Sequence, residues 1–127
     1  MNKEKIEGYL INLGLSFENV EDNSWLINDG EKGLEQILVL LEEPLLIIRV
    51  KIMTAPGKDK EKFFQQLLEL NAQDLLHGAY ALDGEDVILI DTLLSETLDL
   101  EEFQTSLDGI GLALAEHYPI LSKYREE

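Results

Sequence analysis

The sequence predicts an α+β domain: an antiparallel sheet with an N-terminal, a middle and a C-terminal helix, in the order α-β-β-β-α-β-β-α with room for a fourth strand before the middle helix. Three observations lead there. In residues 67–121 an amphipathic helix, a hairpin turning at Asp83-Gly84 and a capped, heptad-like helix follow one another with almost no connecting residues. Two strongly apolar runs, 37–41 and 45–53, stand on either side of Glu42-Glu43-Pro44. The chain opens on a helix-spaced pattern, so helices and antiparallel strands are segregated along it as an α+β layout requires.

In the opening segment Ile6, Tyr9, Leu10 and Leu13 fall at helical spacing among the polar Lys3, Lys5, Glu7 and Asn12, and Gly14 sits where a helix C-cap belongs. Asp22-Asn23 divides residues 17–20 from 25–27, the mark of a small hairpin or of a strand after a turn. Asp29-Gly30 punctuates the chain before the two apolar runs. In the second run Ile48, Val50 and Ile52 alternate with Arg49 and Lys51, which predicts a central antiparallel pair, buried on one face and wet at the far end of the other.

Thr54-Ala55-Pro56-Gly57 ends that strand, and a helix starting near Lys58 is expected to carry Phe63, Phe64, Leu67, Leu68 and Leu70. This apolar arc is wider than one stripe against a sheet needs and leaves surface for another contact. Phe63 and Phe64 diverge by about 100° on a helix, so only one can point squarely into the sheet and the other suits a dimer contact. Residues 78–82 and 87–93 flank Asp83-Gly84-Glu85-Asp86 as a hairpin. Val87 and Leu89 supply one face, Ile88 and Ile90 the other; a strand apolar on both faces is sandwiched, either by a helix on each side or by a second copy of the protein on one. Asp99 and Glu102 have the spacing of a capping box, and Leu100, Phe103, Leu107, Ile110 and Leu114 then repeat at steps of three and four. Pro119 is expected to break or kink this last helix before a tail through Tyr124.

At 127 residues with 45% hydrophobic content, residues 1–127 are expected to form a single domain with a real core. Acidic residues number 26 against 10 basic, a formal charge of -16, about twice the upper end of the roughly 2 to 8 that keeps a small domain soluble. Such a field repels nucleic-acid phosphates and anionic lipid headgroups and draws cationic partners, so neither nucleic acid nor membrane is an expected ligand. The cysteine-free composition, a polar start and the lack of any apolar run near 18 residues lead to the expectation of a soluble cytoplasmic protein.

Little of the sequence reads as chemistry. His77 and His117 are the only histidines, about 40 positions apart and outside any H-x-x-x-H pair that would aim two imidazoles at one metal. His77 reads as a turn residue and His117 as a complement to the last helix's dipole. The acidic turn at residues 83–86, with Asp91, lacks EF-hand spacing, and Ser95, Ser106 and Ser122 lack a nucleophile-elbow context. No catalytic residue, metal or cofactor is therefore expected, and the chain is not expected to be an enzyme. Trp25, the sole tryptophan, suits a core anchor better than an interface hot spot, though its bulk fits both. Arg49, Lys51, Lys58, Lys60 and Lys62 hold half of the basic residues and read as a solvated strand end and helix start.

Leu67-Leu68-Glu69-Leu70-Asn71, Gly78-Ala79-Tyr80-Ala81-Leu82, Val87-Ile88-Leu89 and Leu98-Asp99-Leu100-Glu101-Glu102-Phe103, together with Leu107 and the Pro119-Ile120-Leu121 end, resemble the type III secretion chaperone-like fold, in particular YbjN and the Tir-chaperone-related proteins. The likeness spans most of the chain. It implies a small acidic cytoplasmic homodimer that binds an extended segment of another protein without ATP. By the same resemblance, Ile6, Leu10, Leu13, Trp25 and Ile27 are the positions for a client groove, and Phe64 and Leu68 those for the dimer. The alternatives are a YbjN-like regulatory or sensory domain that meets a signalling partner and, more remotely, an acidic nucleic-acid mimic.

Overall fold

A computed structural model describes residues 2–75 and 77–125. The chain runs α1 (Asn2–Asn12), β1 (Phe17–Glu21), β2 (Ser24–Asp29), a 3-10 turn (Gly30–Lys32), β3 (Leu34–Glu42), β4 (Leu45–Thr54), α2 (Lys60–Gln73), β5 (Ala79–Asp83), β6 (Asp86–Leu94) and α3 (Leu100–Leu121), with a final 3-10 turn at Ser122–Tyr124. All six strands pair antiparallel in one sheet of order β1-β2-β3-β4-β6-β5. This is the expected α+β layout, with four strands before the middle helix and β3 and β4 at its centre.

Local chemistry explains most boundaries. Gly14 takes φ +68°, its N–H donates to the Ile11 carbonyl at 3.0 Å, and Leu15 donates to that of Leu10 at 3.1 Å; a residue in the left-handed region closes α1. At the start of α3 the Glu102 N–H donates to Asp99 Oδ1 at 2.7 Å and the Asp99 N–H donates to Glu102 Oε1 at 3.2 Å, the reciprocal capping box that the spacing predicted. In the β5–β6 hairpin Asp83 faces Asp86, so the two turn residues are Gly84 and Glu85 rather than Asp83 and Gly84. Gly84, at φ +62°, stands in the first central position, where a primed hairpin turn wants glycine.

Two expectations change. A register shift between Lys51 and Met53 breaks the alternation of β4, so Met53 takes the buried place expected of Ile52, which is only half-buried. Helix α3 runs on two residues past Pro119, which falls in the last turn, and ends where Ser122 donates to the Tyr118 carbonyl.

Helices α1, α2 and α3 share one core cluster with one face of the sheet. Trp25 and Ile27, Ile37 and Val39, Leu46 and Ile48, and Val87 and Leu89 point into it, to meet Ile6 and Leu10, Phe63 and Leu67, and Phe103, Leu107 and Ile110. The strand residues between them turn to the opposite face. There Leu26, Leu38, Leu40, Ile47 and Ile90 are half-exposed, Leu94 is exposed and Ile88 is buried; none of them belongs to the core cluster. Of the two coverings open to β6, a helix on each side is not found among the described residues.

Candidate functional site

The structure places most of the expected groove residues in the core. Ile6, Leu10, Trp25 and Ile27 have no exposed surface, and the Trp25 indole N–H donates to Glu7 Oε2 at 3.0 Å. The helical and alternating spacing that singled them out is also what packs α1 onto β2, so in this conformation a partner cannot touch them. Leu13 differs: it follows the last turn of α1 and is half-buried.

Leu13 lines a cleft of about 570 Å³ with Leu15, Leu34, Leu107 and Leu112. The last of these is 61% exposed. The cleft lies between the end of α1, the Gly30–Lys32 turn and α3. Gly111 lets the start of β3 come near: a Cβ there would stand 3.3 Å from Leu34 Cδ2. Lys32, Gln104 and Asp108 add polar lining. The Lys32 ammonium donates to the Gly14 carbonyl at 3.0 Å and lies 3.8 Å from Asp29 Oδ2, which also accepts from the Ser16 N–H at 3.0 Å. Two side chains thereby fix the loop that frames the cleft.

On α2, Phe63 is fully buried while Phe64 is half-buried, their ring centroids 5.8 Å apart. That is the divergence expected of consecutive residues. Leu68, one turn on, is 67% exposed.

His117 is not a surface complement to the helix dipole. It is 3% exposed, the Tyr80 hydroxyl lies 2.6 Å from its Nδ1, and Asp74 Oδ2 lies 3.7 Å from its Nε2. Burial pushes the Tyr80 phenol well above its ordinary range. The signal was present, because the three-and-four steps of α3 continue from Leu114 to His117 and Leu121. Folding also brings exposed His77 to the same cleft of about 280 Å³ as His117 and Asp74. Among the described residues no group of three or more His, Cys, Asp or Glu is placed to hold a metal ion, and no helix is long and apolar enough to cross a membrane.

Comparison with known proteins follows the fold. A chain of the heterodimeric ExoU–SpcU complex, from the type III secretion system of Pseudomonas aeruginosa, is similar over 93% of this chain and 98% of its own, with 17% identity and a TM-score of 0.74. YbjN from E. coli is similar over 91% and 90%, with 15% identity and a TM-score of 0.70. So is a chain of the Yersinia pestis type III secretion chaperone SycH in complex with a fragment of YscM2, over 91% and 98%, with 16% identity and a TM-score of 0.65. No curated protein matches in sequence. The CesT_Tir_1 family model matches residues 1–127, and the chain therefore belongs to that family, a non-catalytic, chaperone-like fold that binds protein.

Proposed function

We propose that this chain is a single cytoplasmic domain that pairs with a second copy and holds an extended apolar segment of another protein. The observation that carries the reading is the cleft at the end of α1. Its floor is aliphatic, and its volume of about 570 Å³ lies within the roughly 300–1,000 Å³ of ordinary ligand sites. Of the five positions that the family resemblance suggested for a groove, Leu13 is the one that keeps accessible surface there, and Leu112 joins it from α3. The formal charge of -16 favours client segments that mix apolar with basic residues and keeps the complex soluble. Likeness to chains from complexes of secretion chaperones supports the same reading. For the second copy two surfaces offer themselves: Leu68 beside Phe64 on α2, and the outer face of the sheet.

A regulatory domain that meets a signalling partner through its acidic surface is the second reading, favoured by the likeness to YbjN. Salt separates the two. Wild-type protein and a Leu112→Asp variant are immobilised and exposed to extract of the native cell at low and high salt. A client held in the cleft stays at high salt and is lost from the variant, whereas a partner held by charge is released by salt from both. Retention at high salt that Leu112→Asp and Leu13→Asp leave unchanged sinks the cleft reading.

A further inference from the structure

The His117 side chain is 4% exposed, and its two ring nitrogens are used differently. Nδ1 lies 2.6 Å from the Tyr80 hydroxyl. Nε2 faces Asp74 Oδ2 at 3.7 Å, which is too long for a hydrogen bond. Both residues line the cleft of about 280 Å³ that His77 shares. We propose that this cleft binds a divalent transition-metal ion of the zinc type, with His117 Nε2, Asp74 Oδ2 and His77 as ligands and water in the fourth position.

The spacing suits an ion better than it suits a hydrogen bond. Zinc stands about 2.0–2.1 Å from a histidine nitrogen and about 2.0–2.2 Å from a carboxylate oxygen, so two such ligands at a tetrahedral angle are about 3.4 Å apart. Nε2 and Oδ2, at 3.7 Å, have only to close by about 0.3 Å to reach that separation. Tyr80 supplies the outer contact. A ligating imidazole gives its other N–H to an acceptor, which fixes the tautomer and the orientation of the ring. With Nδ1–H donated to the Tyr80 oxygen, the Nε2 lone pair is free for the ion.

Two ligands are thus in place, and the third moves in on binding. Asp74 caps α2, and His77 follows it by one short stretch of chain. The exposed His77 ring lies across Gly109 of α3, where a Cβ would stand 3.6 Å from its Cδ2. No side chain at that position pins it. Helical side chains lean towards the N-terminus of their helix, so His117, two turns further along α3, reaches back towards it.

The donors select the ion. Imidazole nitrogen with a carboxylate suits zinc, copper or nickel, whereas magnesium and calcium take oxygen ligands. Asp108 and Glu116 also line the cleft, and a chain of charge -16 draws cations to it. An ion held there ties the end of α2 to α3, so binding stabilises the fold.

The test is calorimetric titration of the untagged, chelator-treated full chain with zinc chloride, alongside thermal melts. One ion per chain and a higher melting temperature are expected, with an excess of magnesium competing for neither. Asp74→Asn and His77→Ala, both at exposed positions, should each weaken binding by about tenfold or more, and Tyr80→Phe by about 10–100-fold. Unchanged far-UV circular dichroism certifies each variant. Cobalt(II) as a probe should give the intense visible absorption of a four-coordinate site in the wild type and lose it in His77→Ala. If zinc gives neither binding heat nor a shift in melting, the site is overturned. It is overturned equally if zinc binds but magnesium displaces it, or if Asp74→Asn and His77→Ala leave the affinity unchanged, because the ion is then held by the acidic surface at large.

Discussion

The Tyr80 hydroxyl and His117 tie β5 to α3 within the core, and their chemistry makes a prediction at single-residue scale. Tyr80→Phe keeps the ring and leaves His117 Nδ1 without its 2.6 Å partner. Stability to urea at pH 7 is expected to fall by about 1–3 kcal/mol, the usual cost of an unmatched buried polar group. The phenol adds a pH signature. Its pKa is raised by burial, so the folded chain keeps a proton that the unfolded chain releases near pH 10. That contribution is whole below about pH 10 and is lost as the pH climbs towards the raised folded value. Wild-type stability should drop more steeply than that of Tyr80→Phe in alkaline urea titrations; parallel curves would show that the phenol is not the source. His117 marks a limit of sequence reading at this scale. The periodicity of α3 pointed at it, but its hydroxyl partner sits 37 positions away on a strand whose register only tertiary pairing sets. The groove positions failed for a related reason: apolar spacing says that Ile6, Leu10, Trp25 and Ile27 face something, and a core and a groove satisfy it equally.

Elements were legible where a few neighbouring residues determine them. The capping box of α3 and the glycine that closes α1 follow from local hydrogen bonding and from φ preferences and appear as expected, and the β5–β6 hairpin forms with its turn one residue later than expected. The bulge in β4 has no such local signature, since Ile52 and Met53 are both apolar and the pairing with β6 chooses between them. Two glycine substitutions test how differently elements use the same residue. Gly8, within α1, has open space where a Cβ would go, so Gly8→Ala should raise stability by about 0.5–1 kcal/mol through the unfolded chain's lost freedom. Gly78 precedes β5 at φ +80°, and a Cβ there would lie 2.7 Å from the Ile90 carbonyl oxygen. Backbone cannot step aside, so Gly78→Ala should be destabilising by more than that gain. Thermal melts of the two variants should move in opposite directions. At α3, Asp99→Ala removes the side chain that accepts from Glu102 N–H and should cost about 0.5–2 kcal/mol, read as a lower urea midpoint with an unchanged slope.

At the scale of the whole molecule, excess charge and an uncovered apolar face act against each other, and salt decides between them. A chain at -16 gains a second copy only by doubling the charge held in one particle. The described ion pairs of the outer face, Arg49 with Asp83 and Lys51 with Asp86, close within one chain, so few favourable charges are left to bridge two. Screening then removes repulsion and costs little attraction, as the Debye length shrinks from about 30 Å at 0.01 M to about 8 Å at 0.15 M salt. The dimer dissociation constant should therefore fall as sodium chloride is raised, and the melting temperature should rise with it. This is the reverse of the trend for association through complementary charges, which screening weakens. Sedimentation at 0.01 and 0.15 M salt reads the sign directly. A dimer that loosens with salt would mean that the copies are joined through ion pairs, and the apolar sheet face would then belong to a different partner.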